Sequence, residues 1–216
     1  MAIVKSQVAR LLLGGVLFPI CFALSLHADP PAAQPTSQAP PEPWEPKVVL
    51  SKAHASTCRK KVGDLFPKMT LQDLAGQQTP LAKWLGKRLT LVVFWDADHV
   101  YSNEQFRRLA TEVEVPFAKN GVSIVAIHVG SQATQLADLQ KQYGGSFTCL
   151  VDPDGKQFAQ VADGKPPRSY LLNAQQQIVW MDVEYSLSTQ RELTNAIQFY
   201  LQKKSPASAS LPSPNP

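Results

Sequence analysis

Residues 88–109 read RLTLVVFWDADHVYSNEQFRRL. Arg88 to Trp95 are mostly β-branched, aliphatic or aromatic, with no sustained polar alternation, which is the pattern of a strand buried on both faces of a sheet. The period then changes. Phe106, Leu109 and Val113 recur at helical spacing, and Ser102 with Gln105 three residues on reads as a capping box that opens a helix. A buried strand passing into an amphipathic helix across Asp96–Tyr101 is the first half of a βαβ unit.

Moving outward, Val122–Val129 (VSIVAIHV) is the next buried strand. Leu136, Leu139 and Tyr143 mark a second helix, stopped by Gly144-Gly145. Phe147–Val151 is a short strand that runs into the turn Asp152-Pro153-Asp154-Gly155. A short helical segment, Gln157–Val161, precedes the strands Ser169–Asn173 and Gln177–Val183, whose short connection makes them antiparallel. The last helix carries Leu193, Ala196, Ile197, Tyr200 and Leu201 on one stripe, with Thr189 and Glu192 as its capping box. Upstream of Arg88, residues 62–87 read as a small hairpin with one helical turn at Leu81–Leu85. The element order predicts an α/β fold: a central mixed sheet flanked by helices on both faces, with an N-terminal β-hairpin.

Composition sets the boundaries. Of 18 prolines in 216 residues, seven lie between Pro30 and Pro46, four between Pro206 and Pro216, and only six between Cys58 and Lys204. Residues 58–204 are therefore the folding unit, large enough to bury about 70% of the unfolded surface. Residues 29–57 read as a proline-rich linker and 205–216 as a disordered Pro/Ser-rich tail. Residues 1–28 read as a signal peptide: Lys5 and Arg10 form a basic region, Leu11–Leu26 an apolar one, and Leu26-His27-Ala28 a cleavage site. An uncleaved anchor is the alternative, although the 18 uncharged residues ahead of Asp29 fall short of the about 20 that a span requires. The expected location is exported, periplasmic or otherwise extracytoplasmic, with the N-terminus as a membrane tether in the anchored case. Without Lys5 and Arg10 the chain carries 19 basic against 17 acidic residues. No Lys/Arg cluster with interleaved aromatics occurs in the folding unit, which argues against a nucleic-acid partner. Collagen, coiled-coil, disulfide-stapled and multi-pass membrane architectures are excluded by the same composition.

Two stretches carry a family resemblance. VGDLFPKMTLQDLAGQQTPLAKWLGKRLTLVVFW (62–95) and LVDPDGKQFAQVADGKPPRSYLLNAQQQIVW (150–180) resemble the hairpin, central strand and closing hairpin of the thioredoxin-like superfamily. Within it they are similar to the redoxin branch, thiol-disulfide oxidoreductases of the TlpA and ResA kind related to AhpC/TSA proteins. The resemblance covers about residues 62–202. It implies that Pro167 is the family's cis-proline and that the chemistry sits on the turn after Trp95.

That turn departs from the family. Where the resemblance implies Cys-x-x-Cys, this chain has His99-x-x-Ser102, and a peroxiredoxin alignment places its threonine on His99 and its peroxidatic cysteine on Ser102. Neither residue can take part in thiol-disulfide exchange, which needs a thiolate. At the positive end of a helix His99 is expected to be a neutral imidazole, and Ser102 has a structural role as a cap, worth about 1 kcal/mol. Cys58 and Cys149 are the thiols that remain after signal removal, either bridged, free, or a displaced redox pair. Cys149 in FTCLV reads as a buried small hydrophobe, and Cys58 as an exposed residue ahead of the domain. Asp96, Asp98 and His99 are weak metal candidates, because no second His or Cys lies at ligand spacing. Trp44 in the linker is either solvated or a docking handle.

No cofactor motif is present. The expected function is an exported thioredoxin-like protein that has lost dithiol catalysis and binds a peptide or protein partner in a groove near Trp95 and Pro167. The alternative is a thiol-disulfide oxidoreductase or peroxiredoxin-like antioxidant protein of cell redox homeostasis acting through Cys58 or Cys149.

Overall fold

A computed structural model describes residues 42–130 and 133–203. The signal expected at 1–28, the linker up to residue 41 and the tail from 205 lie outside the described residues. The chain runs α1 (Lys52–Ser56), β1 (Thr70–Gln72), β2 (Gln78–Pro80), a 3-10 turn (Leu81–Trp84), β3 (Leu89–Trp95) and α2 (Val100–Leu109). A π turn (Ala110–Glu114) then leads to α3 (Val115–Phe117), a second 3-10 turn (Ala118–Asn120), β4 (Val122–Val129), α4 (Ala133–Gln142), β5 (Thr148–Asp152) and a third 3-10 turn (Phe158–Gln160). The chain finishes with β6 (Arg168–Asn173), β7 (Ile178–Val183) and α5 (Leu187–Gln202).

Among the described residues one seven-stranded sheet has the order β2-β1-β5-β4-β3-β6-β7. β3 lies parallel to β4, from Leu89↔Val122 to Trp95↔His128, and antiparallel to β6. All seven residues of β3 are buried, as its apolar run requires of a strand paired on both edges. Alternation divides them. Leu89, Leu91, Val93 and Trp95 enter a core with Phe106 and Leu109 of α2, Leu136 of α4 and Leu193, Ala196 and Ile197 of α5. Val92 and Phe94 enter the opposite core with Ile127, Leu150 and Tyr170, covered by Phe66, Met69, Leu81 and Phe158. The two cores clamp the strand, each fully buried aliphatic side chain contributing about 1.5–3 kcal/mol. At the head of β3, the Gly86 amide donates to Thr90 Oγ1 at 2.8 Å, and a Cβ at Gly86 would meet Leu89 O at 2.2 Å.

Both expected capping boxes are displaced. α2 starts three residues before the Ser102 box, with His99 as its N-cap, and α5 starts at Ser186, whose hydroxyl accepts from Thr189 N at 3.2 Å. In each case the Ser/Thr expected at the cap stands at the third helical position, because an acceptor one turn earlier captures the free amides first. The π turn precedes Pro116, which has no N–H to give a helical partner.

Residues 42–57, expected as the end of an extended linker, run along the domain instead. Trp44 N donates to Asn195 Oδ1 at 3.0 Å, and Asn195 Nδ2 donates to Trp44 O at 2.9 Å. The indole itself is 53% exposed. Ser51 caps the short α1 by accepting from His54 N.

Candidate functional site

The end of β3 delivers Trp95, Asp96, Ala97 and Asp98 to the start of α2. Asp96 Oδ1 accepts from Asp98 N at 2.9 Å, and Asp96 O accepts from His99 N at 3.2 Å, which folds the segment back toward the helix. His99 Nδ1 accepts from Ser102 N at 3.4 Å, so that nitrogen carries no proton and the ring acts as a long, weak cap. Ser102 is fully buried, which corrects the expectation that it caps the helix, and its hydroxyl has no partner. Three residues on, Gln105 Nε2 donates to Ser169 Oγ at 2.7 Å, tying α2 to β6 just past Pro167. The Pro166–Pro167 peptide is cis, and Pro167 O accepts from Glu184 N.

Trp95 has no exposed surface. It stacks on Phe106 at 3.9 Å and meets His128 edge-on at 5.1 Å. Pro167 is buried as well. Trp95, at 0% exposure, therefore presents no surface to a groove, and Pro167 little. The apolar surface at this end comes from Val100 and Tyr101, 76% and 59% exposed. Pockets open elsewhere: one of 540 Å³ beside Trp84, Phe147 and Cys149, another of 530 Å³ beside Trp44, Arg191 and Asn195, and one of 520 Å³ beside Arg107 and Tyr143.

Five side-chain atoms among the described residues are buried without a partner: Trp95 Nε1, Ser102 Oγ, Asn103 Oδ1, Gln105 Oε1 and Arg168 Nε. Four belong to one stretch of eleven residues, 95–105, on the β3–α2 junction, and the fifth follows Pro167. Each such atom costs about 1–3 kcal/mol. Local rules are broken together where function competes with stability, and this clustering marks the junction as the candidate site.

The other sequence candidates are dispersed. Among the described residues no three His, Cys, Asp or Glu side chains are placed to hold a metal ion, so Asp96, Asp98 and His99 do not form one. His128, 3% exposed, has its pKa lowered by burial, partly countered by its Nδ1 contact with Gly130 O at 3.2 Å. Cys58 and Cys149 are both free. Cys149 lies in the core that also holds Phe106 and Phe147, where burial, reinforced by Glu114, pushes its thiol up to about 12. Cys58 is not exposed ahead of the domain: its backbone bridges Ala162, and its half-buried Sγ accepts from Arg168 Nη1 at 3.6 Å. Sequence reading missed Gln105, Ser169 and Arg168. Their only local signals were polar residues at positions where the strand or helix period calls for apolar ones.

Comparison with known proteins gives a consistent result. The model of the AhpC/TSA family matches residues 62–181. The thiol-disulfide oxidoreductase ResA of Bacillus subtilis is 29% identical over 118 residues, 54% of this chain and 64% of that protein, so the chain spans less than two thirds of that relative. A candidate protein disulfide isomerase from Bacteroides thetaiotaomicron superposes with a TM-score of 0.61 at 17% identity, covering 68% of this chain and 94% of that one. Peroxidoxin BcpB from Mycobacterium tuberculosis does so with a TM-score of 0.53 at 19% identity, covering 67% and 99%. At such identities the structural likeness shows the fold alone, a thioredoxin-like α/β sheet. With the family model matched from Val62 to Met181, over more than half of its length, the chain belongs to the AhpC/TSA family of thioredoxin-like redoxins.

Proposed function

We propose that this chain is an exported redoxin-fold protein that docks a peptide or protein partner and does not run dithiol exchange. The observation that carries the reading is the start of α2. Its N-cap and third helical position, where the family's thiols would act, hold an imidazole and a fully buried hydroxyl. No sulfur stands there to be ionised by the helix N-terminus. The exposed Val100 and Tyr101 beside His99 supply the apolar surface for a partner, in place of the buried Trp95 and Pro167. Export rests on the basic and apolar stretches of residues 1–28. No helix among the described residues is long and apolar enough to cross a membrane.

The test is catalytic. Insulin reduction with dithiothreitol and hydrogen peroxide consumption are expected to run no faster than without protein. Turnover that disappears in Cys58→Ser or Cys149→Ser would sink the reading. The double substitution His99→Cys with Ser102→Cys is expected to form a disulfide that dithiothreitol reduces. A pair that stays as two thiols under oxidising conditions would count against placing the family's redox positions at these residues. A second reading, oxidoreductase or antioxidant turnover through Cys58, is favoured by one observation, the Arg168 guanidinium against its sulfur.

A further inference from the structure

β3, β4 and β5 run parallel, so all three begin at one end of the sheet and finish at the other. The connections at the two ends differ in charge. Those leaving the strands toward the candidate site, residues 96–99, 130–132 and 152–157, hold Asp96, Asp98, Asp152 and Asp154 against one lysine, Lys156. Those entering the strands, residues 85–88, 118–121 and 143–147, hold Lys87, Arg88 and Lys119 and no carboxylate. The β6–β7 turn at that same end, residues 173–177, is uncharged, with Asn173 paired to Leu89.

Arg88 gathers these cations. Its backbone N and that of Leu89 donate to Gly121 O at 3.1 and 3.3 Å, and a Cβ at Gly121 would meet Arg88 Cγ at 3.1 Å. Its Nη2 donates to Leu201 O in the last turn of α5, which satisfies one free carbonyl of that helix end. Lys87 adjoins Arg88, Lys119 stands two residues from Gly121, and Lys203 stands two residues from Leu201. Four cations from three chain segments therefore share one end of the molecule. All four are exposed, and among the described residues none is in an ion pair. One carboxylate, Glu45, comes near Tyr200 in the last turn of α5, and it pairs with none of the four. Arg88 has a structural use as a helix cap, whereas the three lysines have none.

We propose that this end of the domain is a docking surface for an anionic phospholipid membrane, with Lys87, Lys119 and Lys203 on the headgroups. A single small anion is held by fixed donors that converge on it, whereas exposed lysines on separate segments match a plane of many phosphates. Their aliphatic stems let the ammonium groups settle at the depth of the headgroups. Phe199 and Tyr200 are half-buried next to these cations, with Lys203 Nζ over the Phe199 ring at 5.9 Å, and aromatic rings beside lysine are the pairing favoured at a membrane–water interface. A protein partner meets strand ends here and no sheet edge that its own strand could extend. Orientation follows from the fold. The seven residues of β3 set Leu89 and Trp95 about 20 Å apart, so a membrane on the basic end leaves His99, Val100 and Tyr101 on the end away from lipid.

The test is partition of the full chain onto vesicles at low salt, either phosphatidylcholine alone or an anionic mixture with phosphatidylglycerol. Each cation near an anionic surface gives about a fivefold gain in binding, so Lys87→Gln, Lys119→Gln and Lys203→Gln together are expected to lower partition onto the anionic vesicles about a hundredfold. Partition onto phosphatidylcholine should not change, and wild-type partition onto the anionic vesicles should fall as salt is added. The same charge removed at the candidate-site end, by Lys52→Gln, Lys156→Gln and Lys165→Gln, is expected to cost less than about fivefold. That comparison separates this surface from net charge and from Lys5 and Arg10, which both variants keep. Equal wild-type partition onto the two kinds of vesicle would overturn the proposal, as would a triple variant that binds like wild type or a control variant that loses as much. Retention on poly-glutamate without retention on the anionic vesicles would assign the surface to an acidic protein and overturn it as well. The substitutions lie away from the start of α2, so their failure leaves the loss of dithiol exchange standing, and dithiol turnover would leave this surface standing.

Discussion

At the start of α2 the side chain that meets the free amide of Ser102 is an imidazole, where helices favour the oxygen of Asp, Asn, Ser or Thr. Replacing His99 by Asp supplies a charged acceptor at the positive end of the helix and is expected to raise stability by about 0.5–1 kcal/mol in urea unfolding. A loss of stability instead would mean that the ring makes contacts worth more than the cap. His128 makes a different prediction, on pH. Burial lowers its pKa from the usual 6.5, so the unfolded chain takes up a proton near that pH which the folded chain accepts only further down. Stability from this residue is therefore complete above the unfolded pKa and falls as the pH drops toward the folded one. His128→Gln should flatten the decline of Tm between about pH 7 and 5. An unaltered slope would assign the decline to other groups.

The contact between α2 and β6 is polar at its centre. Gln105 and Ser169 are 2% and 0% exposed, and their 2.7 Å hydrogen bond joins the helix to the strand that follows Pro167. Gln105→Ala and Ser169→Ala are each expected to cost about 1–2 kcal/mol, and the double variant less than the sum, because one bond is lost in all three. Additive losses in a double-mutant cycle would show that the bond contributes nothing. The strands were legible from composition, since runs such as VSIVAIHV have no amphipathic alternative. The helix starts were not, because the capping spacing recurs: Ser186 stands three residues before Thr189, and Thr189 three before Glu192. Which acceptor wins depends on where the preceding strand or loop delivers the chain. Gln105 was visible only as half of a capping box. Its role as a tie to Ser169 needs the sheet, which sets those residues 64 positions apart in contact.

For the molecule as a whole, the sheet order and the division into two cores follow from buried runs and short connections. The unusual features follow from contacts distant in sequence. Arg168 reads as a polar intrusion in a strand until Thr57, 111 residues away, meets it. Residues 44–57 read as linker from the prolines before them, until Asn195 takes both backbone groups of Trp44. Asn195→Ala should free that segment at a cost of about 1–2 kcal/mol. Amide exchange of residues 44–50 would rise sharply, whereas β3 and β4 would keep their protection; unchanged exchange would show that other contacts hold the segment. This docking also sets a length. Fourteen residues, 44–57, are laid along the domain, and at about 3.1 Å per extended residue the same segment set free would reach roughly 40 Å. The chain ahead of Trp44 therefore joins the domain at the α5 surface and not at the Cys58 edge, because one asparagine holds it there.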